Sequence, residues 1–158
     1  WIPIVMVVVS SGLWFLIRKN RRVKAIGVPA LSPFRVLENE LKRLMDERLF
    51  EKGFQVLFFL RLTHTLKKFL QGWHGVDAEE MTTEEIKRNM DGLMLSPKAG
   101  PALTRILDSA DLVKFARYEM SPEEYDDIAG NLKLVVAVYA EEERKKEAAA
   151  NAKGAEGV

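Results

Sequence analysis

Between residues 34 and 140, apolar side chains recur at intervals of three and four residues, which places them on one face of an α-helix. Five such stripes follow one another along the chain. The β-branched run of Val135, Val136 and Val138 would also suit a strand, but the helical period and the flanking acidic residues favour a helix. The sequence therefore predicts an all-α fold with a compact bundle of about five helices.

Helix-start signals separate these stripes. Ser32 precedes Pro33, as an N-cap precedes a first-turn proline. Thr82 and Glu85 have the spacing of a capping box, and the stretch 121–124 (SPEE) repeats the same cap, proline and acid order. Three glycines are predicted to end the first two helices: Gly53, Gly72 and Gly75.

The apolar stripes also predict the core. Residues 56–60 are apolar on every side, which predicts that the second helix is the most buried of the bundle. Phe115 and Tyr118 are expected to face the fifth helix. The predicted core residues are Phe59, Leu62, Leu66, Ile86, Leu107, Phe115, Ile128 and Leu132.

The first 17 residues carry no charge, and only Ser10 and Ser11 among them are polar. As a helix they would extend about 25 Å, close to the roughly 30 Å of a bilayer core. A buried core helix is the alternative, but the segment is apolar on every face and a basic block follows it. We therefore predict a single transmembrane helix at residues 1–17.

The basic block orients this predicted helix. Its five charges are Arg18, Lys19, Arg21, Arg22 and Lys24. Under the positive-inside rule, the N-terminus would lie outside a bacterial inner membrane and everything after the block in the cytoplasm. The block either sets topology alone or also binds anionic lipid headgroups of the bilayer. The predicted organisation is a transmembrane helix (1–17), a basic juxtamembrane block and linker (18–33), a cytoplasmic helical domain (34–140) and a low-complexity, disordered, frayed tail (141–158).

The composition argues against several functions. The chain has no cysteine, so it has neither a disulfide framework nor a thiolate metal site. Subtracting the five block charges from 24 basic residues leaves 19 against 23 acidic ones, and a mildly acidic body is a poor partner for nucleic acid. His64 and His74 lack a third ligand at a recognisable spacing, and no phosphate-binding glycine loop is present. We expect no enzymatic activity, cofactor or metal.

Three stretches resemble a known family. They are residues 58–70 (FFLRLTHTLKKFL), 81–86 (MTTEEI) and 111–118 (DLVKFARY). Their order is similar to that in the cytoplasmic part of BatD-like proteins and of related small membrane proteins found with MoxR-type AAA+ ATPases. The resemblance covers roughly residues 30–140, and the run 111–118 is its most specific part.

The resemblance implies a membrane-anchored, non-enzymatic accessory protein. Its partners would be a MoxR-type AAA+ ATPase and membrane proteins with von Willebrand A (VWA) domains, and its role would be assembly, chaperoning or envelope-stress tolerance. The alternative is a structural subunit of another inner-membrane complex, with the helical domain as a spacer or scaffold.

The signature run supplies the candidate partner-binding residues Asp111, Lys114 and Arg117. At intervals of three residues on a helix, these side chains would share one polar face. An exposed arginine there suits recognition of a partner carboxylate through two parallel hydrogen bonds. In the alternative interpretation, the three charges only solvate the helix or tie it to a neighbour.

Overall fold

The structure is a computed structural model that describes residues 31–90 and 95–155. Its helices are α1 (Pro33–Asp46), α2 (Gln55–His74), α3 (Thr83–Arg88), α4 (Ala99–Phe115) and α5 (Pro122–Ala155). The four longer helices contact one another in a closed ring in the order α1, α2, α4, α5, and α3 packs on α4. Within the described ranges there is no strand. The all-helical bundle of about five helices agrees with the sequence prediction.

The predicted architecture as a whole, a transmembrane helix leading into the bundle and a frayed tail, is wrong. Not one helix within residues 31–90 and 95–155 is both long enough and apolar enough to cross a membrane. The two longest helices carry charges on their exposed faces, such as Lys68 in α2 and Lys133 in α5. Residues 1–17 and the basic block lie outside the described residues, and the inner-membrane localisation stays a prediction.

The helices begin where their capping signals predict. The Ser32 hydroxyl accepts a first-turn backbone N–H of α1 at 3.2 Å. At α3, the Thr82 hydroxyl accepts the N–H of Glu85 at 3.2 Å, and the Glu85 carboxylate accepts the N–H of Thr82 at 2.8 Å. Ser121 and Glu124 exchange the same two bonds at the start of α5. These reciprocal bonds satisfy backbone donors that have no partner inside the helix.

The core centres on the inner face of α2. Phe59, Leu62 and Leu66 on this face are fully buried, between α1 and α4. Of the eight predicted core residues, seven are buried: Phe59, Leu62, Leu66, Ile86, Leu107, Ile128 and Leu132. The stripe spacing therefore identified most of the core.

Phe115 is the exception, with 78% of its surface exposed. Ala110 and Val113 occupy the inner face of α4, and both are buried. Phe115 follows Val113 by two residues, about 200° around the helix, so it points away from the core. Tyr118 does reach α5, but at the surface, where its hydroxyl donates a hydrogen bond to the Glu124 carboxylate.

The first turns of α2 are less buried than the sequence predicts. Phe58 and Phe59 are buried, whereas Val56, Leu57 and Leu60 are 45–50% exposed. Each helix of the ring, α2 included, turns only one side to the core. The apolar residues on its other side are therefore surplus to the core.

Residues 141–155, predicted as a frayed tail, continue α5. Glu143 is buried, and the ammonium of Lys146 lies 3.3 Å from the centre of the Trp73 ring. The Arg35 guanidinium lies 3.9 Å from the Glu147 carboxylate, which links α1 to α5. These contacts make the first turns of the predicted tail part of the bundle, and the predicted boundary at residue 140 falls inside a helix.

An aromatic cluster fixes this part of α5 to the end of α2. Tyr139 is buried, with its ring 4.7 Å from that of Phe69 and 5.5 Å from that of Trp73. His74 Nε2 lies 3.0 Å from the Tyr139 hydroxyl. Burial, and then the nearby charge of Lys146, lower the pKa of His74 below its ordinary 6.5. The folded protein therefore favours neutral His74.

Truncating the α2 core will destabilise the protein far more than truncating Phe115. We expect Leu66→Ala to lower the free energy of unfolding by about 2–5 kcal/mol, because it removes fully buried methyl groups. Phe115→Ala is the control, and its effect will stay within about 0.5 kcal/mol because the ring is exposed. Chemical denaturation of the full chain measures both. Equal effects would contradict the assigned core.

Protonation of His74 will lower the stability of the folded protein as the pH falls. His74 takes up a proton near pH 6.5 in the unfolded chain but only at a lower pH in the folded chain. Its contribution to stability is therefore complete above pH 6.5 and is lost as the pH falls below 6.5. His74→Gln will flatten the dependence of the melting temperature on pH between about pH 7 and pH 5. The exposed His64, changed to Gln, is the control. An unchanged slope in His74→Gln would contradict this role.

Candidate partner-binding site

The structure brings together two of the three predicted partner-binding residues. Asp111 and Lys114 lie in the last turns of α4, with the ammonium 2.7 Å from the carboxylate. The side chain of Lys114 is only 9% exposed and that of Asp111 is 34% exposed. A pair sheltered to this degree is poorly placed to meet a partner directly.

The pair belongs to a network that joins three helices. Thr83, the first residue of α3, donates a hydrogen bond to Asp111, and Lys67 of α2 donates one to the Met81 carbonyl just before α3. Burial acts to raise the pKa of Asp111, but the hydrogen bonds from Lys114 and Thr83 and the nearby positive charges lower it overall. Burial, and then the charge of Lys114, lower the pKa of Lys67. This geometry supports a structural role for Asp111 and Lys114.

Arg117 lies apart from that pair. The Ala116 N–H donates to the Leu112 carbonyl at 2.9 Å, and the helix ends there. Arg117 then takes a left-handed φ of +54°. The Tyr118 N–H also returns to the Leu112 carbonyl, at 3.4 Å. A left-handed residue after the last turn is a common helix ending. Because the helix stops, Arg117 is exposed and does not share a face with Lys114.

A groove runs along the outer side of α4 and α5. Its volume is about 850 Å³, and Leu112 of α4 and Leu134 of α5 line it, at 52% and 42% exposure. The Arg105 guanidinium lies 3.2 Å from the Asp127 carboxylate and bridges the two helices. A smaller cavity of about 120 Å³ shares Leu112 with the groove and extends to Tyr118. Polar side chains also line the groove, and exposed leucines among polar and charged groups form the kind of surface on which an amphipathic helix binds.

Sequence reasoning missed this groove, although a signal was present. Leu134 lies off the stripe that α5 turns to the core, and Leu112 lies off the corresponding stripe of α4. A large apolar side chain on the polar side of an amphipathic helix has no role in the core. Such residues in two neighbouring helices indicate a surface between them.

In the described part of the chain, no group of three or more histidine or acidic side chains could hold a metal ion. The basic block of five residues lies outside that part.

Comparisons with protein-family models, with curated proteins and with solved structures found no match for this chain. The resemblance to BatD-like proteins therefore depends on its three sequence stretches.

Removing Asp111 will destabilise the fold, because the sheltered Lys114 ammonium would lose its ion-pair partner. We expect Asp111→Ala to lower the free energy of unfolding by about 1–3 kcal/mol. Arg117→Ala, a change at an exposed position beyond the same helix, is the control and will change it by less than about 0.5 kcal/mol. Thermal melting of the full chain measures both. A wild-type melting temperature for Asp111→Ala would refute the structural role.

Proposed function

We propose that this chain is a non-enzymatic protein-interaction module that binds a helix of a partner protein in the groove between α4 and α5. On the resemblance to BatD-like proteins, the partners are a MoxR-type AAA+ ATPase and VWA-domain membrane proteins. The module would serve the assembly, chaperoning or stress tolerance that the resemblance implies.

The observation that carries the proposal is the exposure of Leu112 and Leu134 across one groove. Two leucines about half exposed on neighbouring helices offer apolar area to a partner at no cost to the core. The flanking Arg105 and Asp127 provide both charge signs at the edge, where ionic contacts orient a partner more than they add affinity. The expected ligand is an amphipathic helix with apolar residues three or four positions apart.

The signature run of the resemblance bears on the same surface. In residues 111–118, Asp111 and Lys114 join the sheltered network, while Leu112 and Tyr118 line the groove and its extension. One short run thus combines fold-defining and outward-facing residues. Arg117 directly precedes Tyr118 and is exposed, so its binding of a partner carboxylate remains part of the proposal.

A spacer or scaffold role is the second candidate, and the length of α5 favours it. This helix has 34 residues, or about 51 Å at 1.5 Å per residue, and residues 148–152 are exposed. A rigid helix of that length would separate two attachment points. In that case, partners would be lost on truncation after residue 147 and retained by groove variants.

Purification of the tagged full chain from detergent-solubilised cells, with mass spectrometry of what it retains, tests the proposal. Wild type will recover an AAA+ ATPase and VWA-domain proteins, and Leu134→Glu or Leu112→Glu will reduce their recovery at least about tenfold, because a charge will be buried against the partner. Arg117→Glu will reduce it as well. Leu57→Glu is the matched control, since Leu57 is exposed to 45% on α2, away from the groove.

Circular dichroism of each variant confirms that the fold is intact. Absence of both partner classes from the wild-type sample would refute the assignment that rests on the resemblance. Equal recovery with wild type and with the leucine variants would refute the groove.

A further inference from the structure

A second apolar surface lies on the outer side of α2, away from the α4–α5 groove. It consists of Phe54, Val56, Leu57 and Leu60, here called the α2 patch, with exposures of 57%, 47%, 45% and 50%. Val56, Leu57 and Leu60 lie on one face of the first two turns, opposite the buried Phe58. Four adjacent half-exposed apolar residues are more than the scattered apolar residues normal on a monomer surface.

The first residue of the patch, Phe54, does not cap the helix that follows it. Phe54 occupies the N-cap position of α2 and makes no side-chain hydrogen bond to the helix. Serine, threonine, aspartate and asparagine are preferred there and typically stabilise a helix by about 1 kcal/mol. Helices α1 and α3 use a hydroxyl at this position, from Ser32 and Thr82, whereas Lys98 at the start of α4 also makes no such bond. A large exposed ring at this position adds to the patch rather than to the helix.

The charges around the patch are paired within the molecule. Arg61 lies against Glu47, and the Arg48 guanidinium is 3.7 Å from the Glu51 carboxylate. The Arg61 hydrogen bond lowers the pKa of Glu47, and the charge of Lys52 contributes to the same shift. The edge therefore carries both signs in near balance. Such an edge can face a copy of itself without like-charge repulsion, and it does not select a strongly acidic or basic partner.

The size of the patch suits a modest homodimer. Each of its four side chains exposes roughly 100 Å², since a large apolar side chain has about 200 Å² in all, so the apolar centre is roughly 400 Å² per molecule. A standard interface covers about 800 Å² per partner, of which a little over half is apolar. The patch with its charged edge matches that composition, at the size of a reversible dimer rather than an obligate one.

We infer that the α2 patch is a homodimer interface in which α2 of one molecule packs antiparallel against α2 of a second about a two-fold axis. A two-fold axis brings the same surface of both molecules together, so a patch confined to one helix end can bury itself completely. Antiparallel packing sets Arg61 and Glu47 of each molecule at the edge of the shared apolar centre. The inference is independent of the groove between α4 and α5.

The absence of cysteine from the chain permits a direct test. In the full chain in mild detergent, Leu57→Cys and Leu60→Cys will each form a disulfide-linked dimer on oxidation, because the two-fold axis brings equivalent residues near each other. Leu134→Cys is the matched control, with similar exposure on α5, and it will remain mainly monomeric. Equal cross-linking at position 134 would overturn the inference.

Sedimentation over a roughly hundredfold range of concentration provides the second measurement. Wild type will shift from monomer to dimer, while Leu57→Glu will stay monomeric and will melt at the temperature of the dilute, monomeric wild type. A wild-type monomer at every concentration, or a dimer that survives Leu57→Glu, would overturn the inference. Loss of the ATPase and VWA-domain proteins in Leu57→Glu would also overturn it, by giving the patch to a different partner, whereas failure of the groove variants alone would leave it intact.

Discussion

The burial of one face of α2 determines the rest of the fold. Phe59, Leu62 and Leu66 follow one another at intervals of three and four residues, and each is fully buried. Helices α1 and α4 contact α2 on its two sides, and α5 closes the ring by contacting α4 and α1. Loss of any of these three side chains would leave a cavity lined by more than one helix, and such cavities are among the most destabilising changes in a small core.

The same burial gives α2 a second face with no place in the core. Val56, Leu57 and Leu60 are apolar but lie at the surface. Exposed leucines on α4 and α5 repeat this pattern around the α4–α5 groove. An ion pair lies at the edge of each surface: Arg61 of α2 pairs with Glu47 at the end of α1, and Arg105 of α4 pairs with Asp127 of α5. We assign self-association to the first surface and partner binding to the second.

The sequence was most informative where local rules decide the structure. Capping signals at Ser32, Thr82 and Ser121 placed three helix starts correctly, because a cap depends on neighbours only a few residues away. It failed where tertiary context decides. Phe115, two residues after the buried Val113, points away from the core of the bundle, and the apolar residues 56–60 indicated burial although three of the five are exposed. Polar, alanine-rich residues after 140 suggested disorder, yet Lys146 stacks on Trp73 of another helix.

The candidate site shows the same division. Spacing correctly brought Asp111 and Lys114 together, because an interval of three residues within a helix is local. It could not show that the Lys114 side chain is only 9% exposed, or that Arg117 lies past the helix end. The pattern of a single helix could not predict the groove, since Leu112 of α4 and Leu134 of α5 line it together.

Hydrogen exchange of the full chain tests the central claim, that the inner face of α2 organises the fold. Amides in the centres of core elements open only with global unfolding, whereas exposed helix ends open locally. We expect the slowest exchange in residues 59–70 of α2, and fast exchange in residues 148–152, which are helical but exposed. Exchange in residues 59–70 as fast as in residues 148–152 would contradict the account.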